Sequence, residues 1–313
     1  MSLHVVRWNW RDHAITADKL QKKNFPPLRE VVPGFVPEGL SILAGKPKIG
    51  KSWMALDMCL AVATGDLVLG KRPEPGDVLY LALEDTDRRL KRRMEKLLDG
   101  KPGSPRLMLA TRWSKLDKGG VADVAAWAGA VPEPRLVVLV TLAGVRPDRA
   151  NRETTYESDY KALLELHQLA NERAFAALTL HHTRKMDADD PVDTVSGTLG
   201  IAGCVDTVLV LSRSNKGTTL YLRGRDVEEG EHAVLFNKET CRWTVIGDAE
   251  TVHRSDTRMK IMSVLARVKP KAMGPNHIAE GTGISIKAVE QQLYGLINNG
   301  DVVKVGRGKY RLA

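Results

Sequence analysis

The sequence predicts an α/β protein whose central sheet is mostly parallel, with a small second domain at the C-terminus. Short hydrophobic segments typical of buried strands, such as residues 40–44, 77–83 and 136–140, alternate along the chain with helical segments. The first of these strands runs directly into a glycine-rich loop and then an apolar helix at 53–64. Because parallel strands need crossover connections, this alternation predicts helices on both faces of the sheet and ligands at the carboxyl ends of its strands.

The glycine-rich loop is a phosphate-binding motif. Residues 45–52 read GKPKIGKS and satisfy G-x-x-x-x-G-K-[ST] without a mismatch, in the strand–loop–helix context that the motif requires. Loop amides and the helix N-terminus surround β- and γ-phosphates, Lys51 adds a cation, and the Ser52 hydroxyl can bind Mg²⁺. The predicted phosphate-binding residues are Gly45, Lys46, Pro47, Lys48, Ile49, Gly50, Lys51 and Ser52.

Composition places the chain among globular proteins rather than membrane or disulfide-rich ones. Of its 313 residues, 43% are hydrophobic and 27% charged, which is enough to bury a core. The sequence has no apolar stretch of membrane-spanning length and no signal-peptide pattern at its start, so we expect a cytoplasmic protein without membrane contact. Cys59, Cys204 and Cys241 are few and widely spaced, and they indicate buried small side chains rather than a disulfide framework or a zinc site.

Breaks in the pattern suggest four segments. Residues 1–39 contain repeated proline and glycine and predict an arm or lead-in. Residues 40–247 form the predicted core, which ends in closely spaced strands that favour antiparallel hairpins. A polar linker is expected at 248–255, and residues 256–313 form a separate module.

The C-terminal module is strongly basic. Residues 256–313 contain ten Lys or Arg against four acidic residues, so this segment alone carries a formal charge of +6. Its pattern of helix, helix, turn, helix and hairpin predicts a winged helix. A basic module of this kind indicates a nucleic-acid partner, with Lys287 on the third helix and Arg307 in the hairpin turn as candidate contacts. The alternative is a packing module that contacts only protein.

Several further residues, taken in order with the phosphate loop, resemble a known family. Glu84, the pair His181 and His182, and the run Arg223-Gly224-Arg225-Asp226 are similar to the RecA-type ATPases of the hexameric RepA-like helicase group. Such domains also form the ATPase halves of phage and mobile-element primase-helicases. The resemblance covers about residues 25–245 and implies a RecA-like core that uses ATP and Mg²⁺.

The resemblance also implies partners and catalytic roles. It suggests a homohexameric ring on single-stranded DNA in plasmid, phage or mobile-element replication, with a primase or replication-initiation protein as a further partner. Glu84 follows a buried strand beside the phosphate loop, where a carboxylate can polarise the attacking water. His182 or His181 takes the place of the γ-phosphate sensor. Arg223 and Arg225 are two apart on a predicted strand, so their side chains share a face. The resemblance implies that one of them supplies an arginine finger to the nucleotide of the neighbouring subunit.

Two segments resemble the DNA-binding loops of the family. Residues 144–155 carry Arg146, Arg149 and Arg152, and residues 185–203 begin with Lys185, directly after Arg184. Both would project into a ring channel and follow a single-strand backbone without base recognition. The acids of the second segment, such as Asp187 and Asp193, argue against close phosphate contact there.

One position departs from the family. Val140 ends the strand 136–140, where the family has the Walker B aspartate that holds the water shell of Mg²⁺. The chain is therefore either a weakly hydrolysing version, or Glu84 or Asp85 compensates as a metal-site carboxylate. Two functions remain: a helicase motor that moves on single-stranded DNA, and an ATP-dependent DNA-binding switch without motor activity.

Overall fold

The computed structural model describes residues 9–12, 14–145, 155–183, 188, 190–195, 203–214 and 217–313. Its strands are β1 (Glu30–Val32), β2 (Val36–Pro37), β3 (Gly39–Gly45), β4 (Asp77–Ala82), β5 (Leu107–Ala110), β6 (Pro134–Val140), β7 (Ala176–His182), β8 (Thr207–Ser214), β9 (Gly217–Gly224), β10 (Gly230–Phe236), β11 (Trp243–Asp248), β12 (Val302–Gly306) and β13 (Lys309–Leu312). Its helices are α1 (Ala17–Gln21), α2 (Lys51–Thr64), α3 (Asp87–Leu98), α4 (Gly120–Ala130), α5 (Leu142–Val145), α6 (Thr155–Arg173), α7 (Ala249–Val268), α8 (Pro275–Thr282) and α9 (Ile286–Asn298).

Within the described residues, nine strands form the central sheet in the order β11-β10-β9-β8-β3-β7-β6-β4-β5. Neighbouring strands from β8 to β5 are all parallel, whereas β9, β10 and β11 continue the sheet in antiparallel pairs. The prediction of a mostly parallel sheet is confirmed. The carboxyl ends of β3, β7, β6 and β4 therefore meet at one edge of the sheet, where ligands of such folds bind.

A hydrophobic core covers each face of the sheet. Alternate residues of β3 point to opposite faces, so Leu43 packs in the core with α2 and α3, whereas Ile42 packs in the core with α4 and α6. All seven residues of β3 are buried, as expected for a strand covered on both sides. This double burial fixes the position of the loop that follows Gly45.

The predicted lead-in, residues 1–39, is only partly separate from the core. Helix α1 has no buried residue, but β1 and β2 pair as an antiparallel hairpin. Val31, Val32, Phe35 and Val36 of this hairpin are buried in the core that contains α2. The proline and glycine residues of the segment indicate a break in regular structure, but they do not exclude a short buried hairpin.

The segment 248–255, predicted as a linker, is helical after its first residue. The Asp248 carboxylate accepts a hydrogen bond from the Thr251 amide and so caps α7, which continues to Val268. Helices α7, α8 and α9 with the hairpin β12–β13 enclose a small core that includes Ile261, Ile278 and Leu293. Met273, between α7 and α8, pairs with Tyr310 of β13 through two backbone hydrogen bonds.

No helix in the described ranges is long and apolar enough to span a membrane. Cys59, Cys204 and Cys241 are buried, as predicted.

Candidate nucleotide-binding and active site

The phosphate loop connects the end of β3 to the start of α2, and its shape depends on a glycine. Gly50 has a φ of 111°, which side chains other than glycine rarely adopt. A Cβ atom at Gly50 would lie only 2.9 Å from the indole ring of Trp243. The Trp243 Nε1–H also donates to the Gly50 carbonyl at 3.2 Å. Strand β11, which the sequence analysis did not predict, thus supports the phosphate loop through the contact of Trp243 with Gly50.

Lys51 is held with its ammonium group inside the phosphate loop. It is 6% exposed, and Nζ donates to the carbonyl oxygens of Gly45 at 2.7 Å and Lys46 at 3.0 Å. Burial lowers the pKa of Lys51 to about 8, and the negative charge of Glu84 partly opposes this shift. The site therefore places a partly desolvated cation where phosphate oxygens would replace loop carbonyls as its partners.

Two other predicted residues lie at the same edge of the sheet. His182 is directly opposite Gly45 in the β3–β7 register, and its Nδ1 lies 3.4 Å from Lys51 Nζ. Because successive side chains of a strand point to opposite faces, His181 does not share this position. Of the histidine pair, the structure brings His182 to the phosphate loop.

Glu84 follows β4, and its carboxylate is oriented by a residue that sequence reasoning missed. The Thr141 hydroxyl donates to Glu84 Oε1 at 2.9 Å, and Thr141 itself is 5% exposed. Thr141 comes directly after β6 and next to Val140, which replaces the aspartate of the resembled family. This hydroxyl residue beside the replaced aspartate was the sequence signal that could have identified Thr141. The arrangement fixes one carboxylate oxygen of Glu84 and leaves this exposed side chain able to polarise a water molecule.

Val140 and Asp85, the two residues that bear on Mg²⁺, have different surroundings. Val140 is 3% exposed, pairs with Ala82 of β4, and packs in the core with α2. The Asp85 carboxylate forms ion pairs with Arg93 at 2.6 Å and with Arg89 at 3.3 Å. The structure therefore does not favour Asp85 as a metal ligand, because two guanidinium groups already neutralise its carboxylate. Of the two acids considered as compensating groups, Glu84 alone retains an unneutralised carboxylate near Lys51.

Comparison with known proteins identifies the family of this site. A family model described as an AAA domain matches residues 11–188, more than half of the chain. The chain belongs to this AAA-domain family. The matched segment contains the phosphate loop, Glu84, Val140 and His182. A search of curated proteins found no match to the sequence.

Comparison with solved structures shows that this chain has a RecA-like α/β fold. One of them, described as an ATPase domain, matches with a TM-score of 0.52 and 13% identity, over 66% of this chain and 84% of that one. A DnaB-like replicative helicase, described with its interactions with primase, matches with a TM-score of 0.53 and 14% identity. The second match covers 68% of this chain and 61% of that one.

The two candidate finger arginines lie beyond the segment that matches the AAA-domain family. Arg223 pairs with Asp190 at 2.6 Å and Glu229 at 2.9 Å, and stacks on Tyr221. Hydrogen bonds from Arg223 and then from the Val192 amide lower the pKa of Asp190. Arg225 is not on the strand with Arg223, since β9 ends at Gly224, and the two arginines contact different acids.

Among the residues that the structure describes, Arg225 has one ionic partner. Its Nη1 lies 3.1 Å from Asp206 Oδ1, and the side chain is 68% exposed. The other Asp206 oxygen accepts a hydrogen bond from the Leu40 amide at 3.0 Å and lies 2.6 Å from His167 Nε2. Asp206 thus connects the first residues of β3 and β8 with α6, at the edge of the sheet away from the phosphate loop.

The β-sheet register separates the arginines from the phosphate loop of the same chain. Gly45 is level with Leu211 of β8, whereas Arg223 is level with Val208, three positions toward the amino ends of the parallel strands. At about 3.3 Å per residue and about 4.8 Å per strand spacing, Arg223 lies on the order of 14 Å from the loop. Neither arginine is positioned at the phosphate loop of its own AAA domain.

The predicted nucleic-acid contacts divide between described and undescribed residues. Arg146, Arg149, Arg152, Arg184 and Lys185 lie outside the described residues, as does the segment 196–202. Lys287 on α9 and Arg307 between β12 and β13 are both exposed. In the second predicted DNA loop, Asp190 caps the short helix Pro191–Thr194, so this acid has a structural role.

Proposed function

We propose that this AAA-domain protein is an ATP-dependent DNA helicase or translocase of the hexameric RepA-like group. It acts on single-stranded DNA during replication of a plasmid, phage or mobile element in the cytoplasm. The observation that supports this most directly is the convergence of Lys51, Glu84 and His182 at the carboxyl edge of a RecA-like sheet. A binding protein needs a phosphate loop, but a hydrolase also needs a positioned carboxylate and a residue that responds to the γ-phosphate.

The residues at this edge fit ATP and Mg²⁺. The phosphate loop amides and the buried ammonium of Lys51 match the charge and shape of the β- and γ-phosphates. Among the described residues, the Ser52 hydroxyl and the Glu84 carboxylate could offer oxygens to Mg²⁺, which would supply charge neutralisation at the transferring phosphoryl group. Glu84, held by Thr141, orients the attacking water and accepts its proton. His182 contacts Lys51, so movement of the lysine toward phosphate changes the environment of the imidazole.

Val140 weakens turnover in this proposal but leaves nucleotide binding intact. A valine side chain offers no oxygen to the metal water shell, and the buried carboxylate of Asp85 is paired with Arg89 and Arg93. The phosphate loop and Lys51, which provide most of the phosphate contacts, do not depend on Val140.

The active unit is a ring, with six subunits as in the resembled group. Arg225 is the preferred arginine finger, because it is exposed and pairs with one acid in the described part of the chain, whereas Arg223 is held by two carboxylates. The position of both arginines away from the phosphate loop of their own chain supports a role in the neighbouring subunit. Arg146, Arg149, Arg152, Arg184 and Lys185 are proposed to contact single-stranded DNA in the ring channel.

Residues 256–313 form a winged helix in this proposal. Supporting this assignment are three helices, a β-hairpin, and the backbone pairing of Met273 with Tyr310 that adds a short third strand to the hairpin. Because one structural neighbour is described with its interactions with primase, a primase or replication-initiation protein is the partner that we propose for the assembled ring.

The second candidate function is a nucleotide-driven switch that assembles on DNA without movement, and Val140 is the observation that favours it. Electron microscopy with a slowly hydrolysed ATP analogue and single-stranded DNA tests ring formation and strand threading together. ATP hydrolysis and strand separation are measured on the same preparation. DNA-stimulated turnover with strand separation supports the motor. Threaded rings without turnover support the switch, and absence of rings contradicts both.

A further inference from the structure

We infer that helix α3 binds the phosphate backbone of duplex DNA, at a surface separate from the ring channel and from the C-terminal module. The surface is a row of three cations, Arg88, Arg92 and Lys96, which we call the α3 stripe. The inference rests on the proposed function, which supplies the DNA, and it adds a second place on the AAA domain where DNA is held.

Most of the basic charge of the chain lies in two segments. Residues 256–313 carry +6 and residues 85–112 carry +5, whereas the formal charge of the whole chain is +9. In the second segment, nine Lys or Arg stand against four Asp or Glu. The rest of the chain is therefore slightly acidic, and the excess positive charge of 85–112 is a local feature of α3 and the residues that follow it.

Two buried leucines fix the side of α3 that faces solvent. Leu90 and Leu97 pack in the core with α2, and the α3 stripe lies on the opposite side of the helix, where its three side chains are exposed. At 1.5 Å of rise per residue, residues four positions apart are about 6 Å apart along the helix axis, so the stripe is about 12 Å long. Its cations cannot turn inward without exposing the two leucines.

The exposed acids of α3 have other partners than the stripe. Asp87 accepts a hydrogen bond from the Thr111 hydroxyl at 2.7 Å, and Glu95 lies 3.7 Å from Lys91. Across the described ranges, none of the stripe cations forms an ion pair with an acid. Their charge is therefore available to an external anion.

The arrangement of the α3 stripe is unfavourable for a subunit without an anionic partner. Arg88 lies in the first turn of the helix, where the positive end of the helix dipole repels a cation. Like charges at positions i and i+4 also repel each other, and the stripe contains two such pairs. A helix surface that is merely solvated usually alternates charges of opposite sign, as Lys91 and Glu95 do. A polyanion lying along the stripe would remove both kinds of repulsion.

The α3 stripe and the predicted DNA loops lie on opposite faces of the central sheet. Leu90 and Leu97 of α3 belong to the core that contains α2. Val145 and Val195 each come from one of the two segments that resemble DNA-binding loops, and both belong to the core with α4 and α6. DNA at the stripe is therefore not a continuation of the strand proposed for the channel.

The chemistry of α3 favours duplex DNA over a single strand or a protein. A duplex carries one negative charge per about 1.7 Å of its axis, twice the density of one strand, so a surface that offers only cations gains most from a duplex. Proteins that hold single strands add aromatic side chains on which bases stack, and every exposed residue of α3 is charged. For the same reason the stripe lacks the hydrophobic centre of a protein interface.

The test measures binding at the α3 stripe directly, by photo-crosslinking in the full chain. Glu95→Cys, beside the stripe, is labelled with a photoreactive group, since the three cysteines of the chain itself are buried. The channel is first occupied by single-stranded DNA with a slowly hydrolysed ATP analogue, and a short duplex of random sequence is then titrated. The crosslinked fraction gives the affinity of this site alone, without the contribution of the C-terminal module. Glu172→Cys, exposed on α6 at the other face of the sheet, is the matched control.

We expect the duplex to be crosslinked from position 95 and not from position 172. Replacing all three stripe cations by glutamine keeps long side chains with good helix propensity. This triple change should lower the affinity at 0.1 M salt by at least ~10-fold and reduce the slope of log affinity against log salt by about 2–3. Arg92→Gln alone should reduce the slope by about 1, and it provides the same test if the triple variant does not fold.

Four results would overturn the inference. Two are crosslinking from position 95 that is no higher than from position 172, and an unchanged salt slope in both glutamine variants. The other two come from competition at equal concentrations of charge. Displacement of the duplex by additional single-stranded DNA would assign the stripe to single strands, and displacement by a glutamate oligomer would assign it to an acidic protein.

Hydrolysis of ATP with single-stranded DNA is measured on the same preparations, and the glutamine variants should keep the wild-type rate. Crosslinking of the duplex without hydrolysis in the wild type would contradict the motor and support the inference. Hydrolysis without crosslinking of the duplex would do the reverse.

Discussion

Replacing Val140 by aspartate tests whether a missing metal-site carboxylate limits turnover. Val140 ends β6 beside Ala82 and comes directly before Thr141, whose hydroxyl holds Glu84. Val140 packs in the core with α2, whose first turn contains Ser52, so a carboxylate here would lie on the same side of the sheet as that hydroxyl. We therefore expect Val140→Asp to tighten Mg²⁺-ATP binding and to raise kcat.

The expected magnitude follows from the burial of the site. Opposite charges about 4 Å apart interact by roughly 4 kcal/mol at an effective dielectric constant of about 20. Val140 is 3% exposed, so removal of the new carboxylate from water offsets much of this gain. A tenfold change in rate corresponds to ~1.4 kcal/mol of transition-state stabilisation. A net gain of one or two such increments raises kcat by ~10- to 100-fold.

The same burial predicts a stability change that depends on the metal. Without Mg²⁺, an unpaired buried carboxylate should destabilise the fold by a few kcal/mol, and the melting temperature of Val140→Asp should fall. Mg²⁺ with nucleotide should restore it. Val140→Asn is the matched control, since it is similar in size and polar but uncharged. Steady-state hydrolysis is measured against free Mg²⁺ for all three proteins.

Two results would refute this reasoning. If Val140→Asp leaves kcat and Mg²⁺ dependence unchanged, Glu84 already supplies the required carboxylate. If Val140→Asn raises turnover as much as Val140→Asp, local polarity rather than metal binding is responsible.

Three other predictions concern the phosphate loop, the subunit boundary and the C-terminal module. Lys51→Ala should abolish tight ATP binding without lowering the melting temperature, and in the wild type, affinity should fall as the pH rises through about 8, where Lys51 loses its proton. A calorimetric affinity that is constant from pH 7 to 9 would contradict this. Arg225→Ala should lower kcat but not ATP affinity, and mixing it with Glu84→Gln subunits should restore part of the activity. Mixed rings as inactive as their parents would exclude a role in trans. Deleting residues 256–313 should weaken duplex binding and flatten its salt dependence, as measured by anisotropy; equal binding would assign the module to protein contacts.

The sequence was sufficient for the parts of the fold that depend on local pattern. Continuous hydrophobic runs identified the parallel strands, because a strand covered on both faces has no polar alternation. The motif at 45–52 identified the phosphate loop, because its glycines and Lys51 are required by local geometry. The closely spaced strands after residue 206 correctly indicated an antiparallel end of the sheet.

Contacts between distant segments were not predictable in this way. Trp243 supports Gly50 across 193 positions of sequence, and Thr141 holds Glu84 across 57. Trp243 belongs to no motif, and Thr141 follows the Walker B position without being part of its usual chemistry; each acts because the sheet order places its strand or loop beside the site. The hairpin β1–β2 is similar, since its burial depends on a neighbouring face of α2 that no local pattern reveals.

Arg223 and Arg225 differ in the contacts that each would lose if its guanidinium group reached a neighbouring subunit. Departure of Arg225 removes one ion pair from Asp206 Oδ1, and the other carboxylate oxygen keeps the Leu40 amide and the nearby His167 ring. Departure of Arg223 breaks two ion pairs and the stacking on Tyr221 together. Exposed ion pairs contribute only about 0–1 kcal/mol each, but three contacts made by one guanidinium group also fix its direction. Arg223 therefore holds Asp190 against β9, and Arg225 is the arginine that can move at low cost.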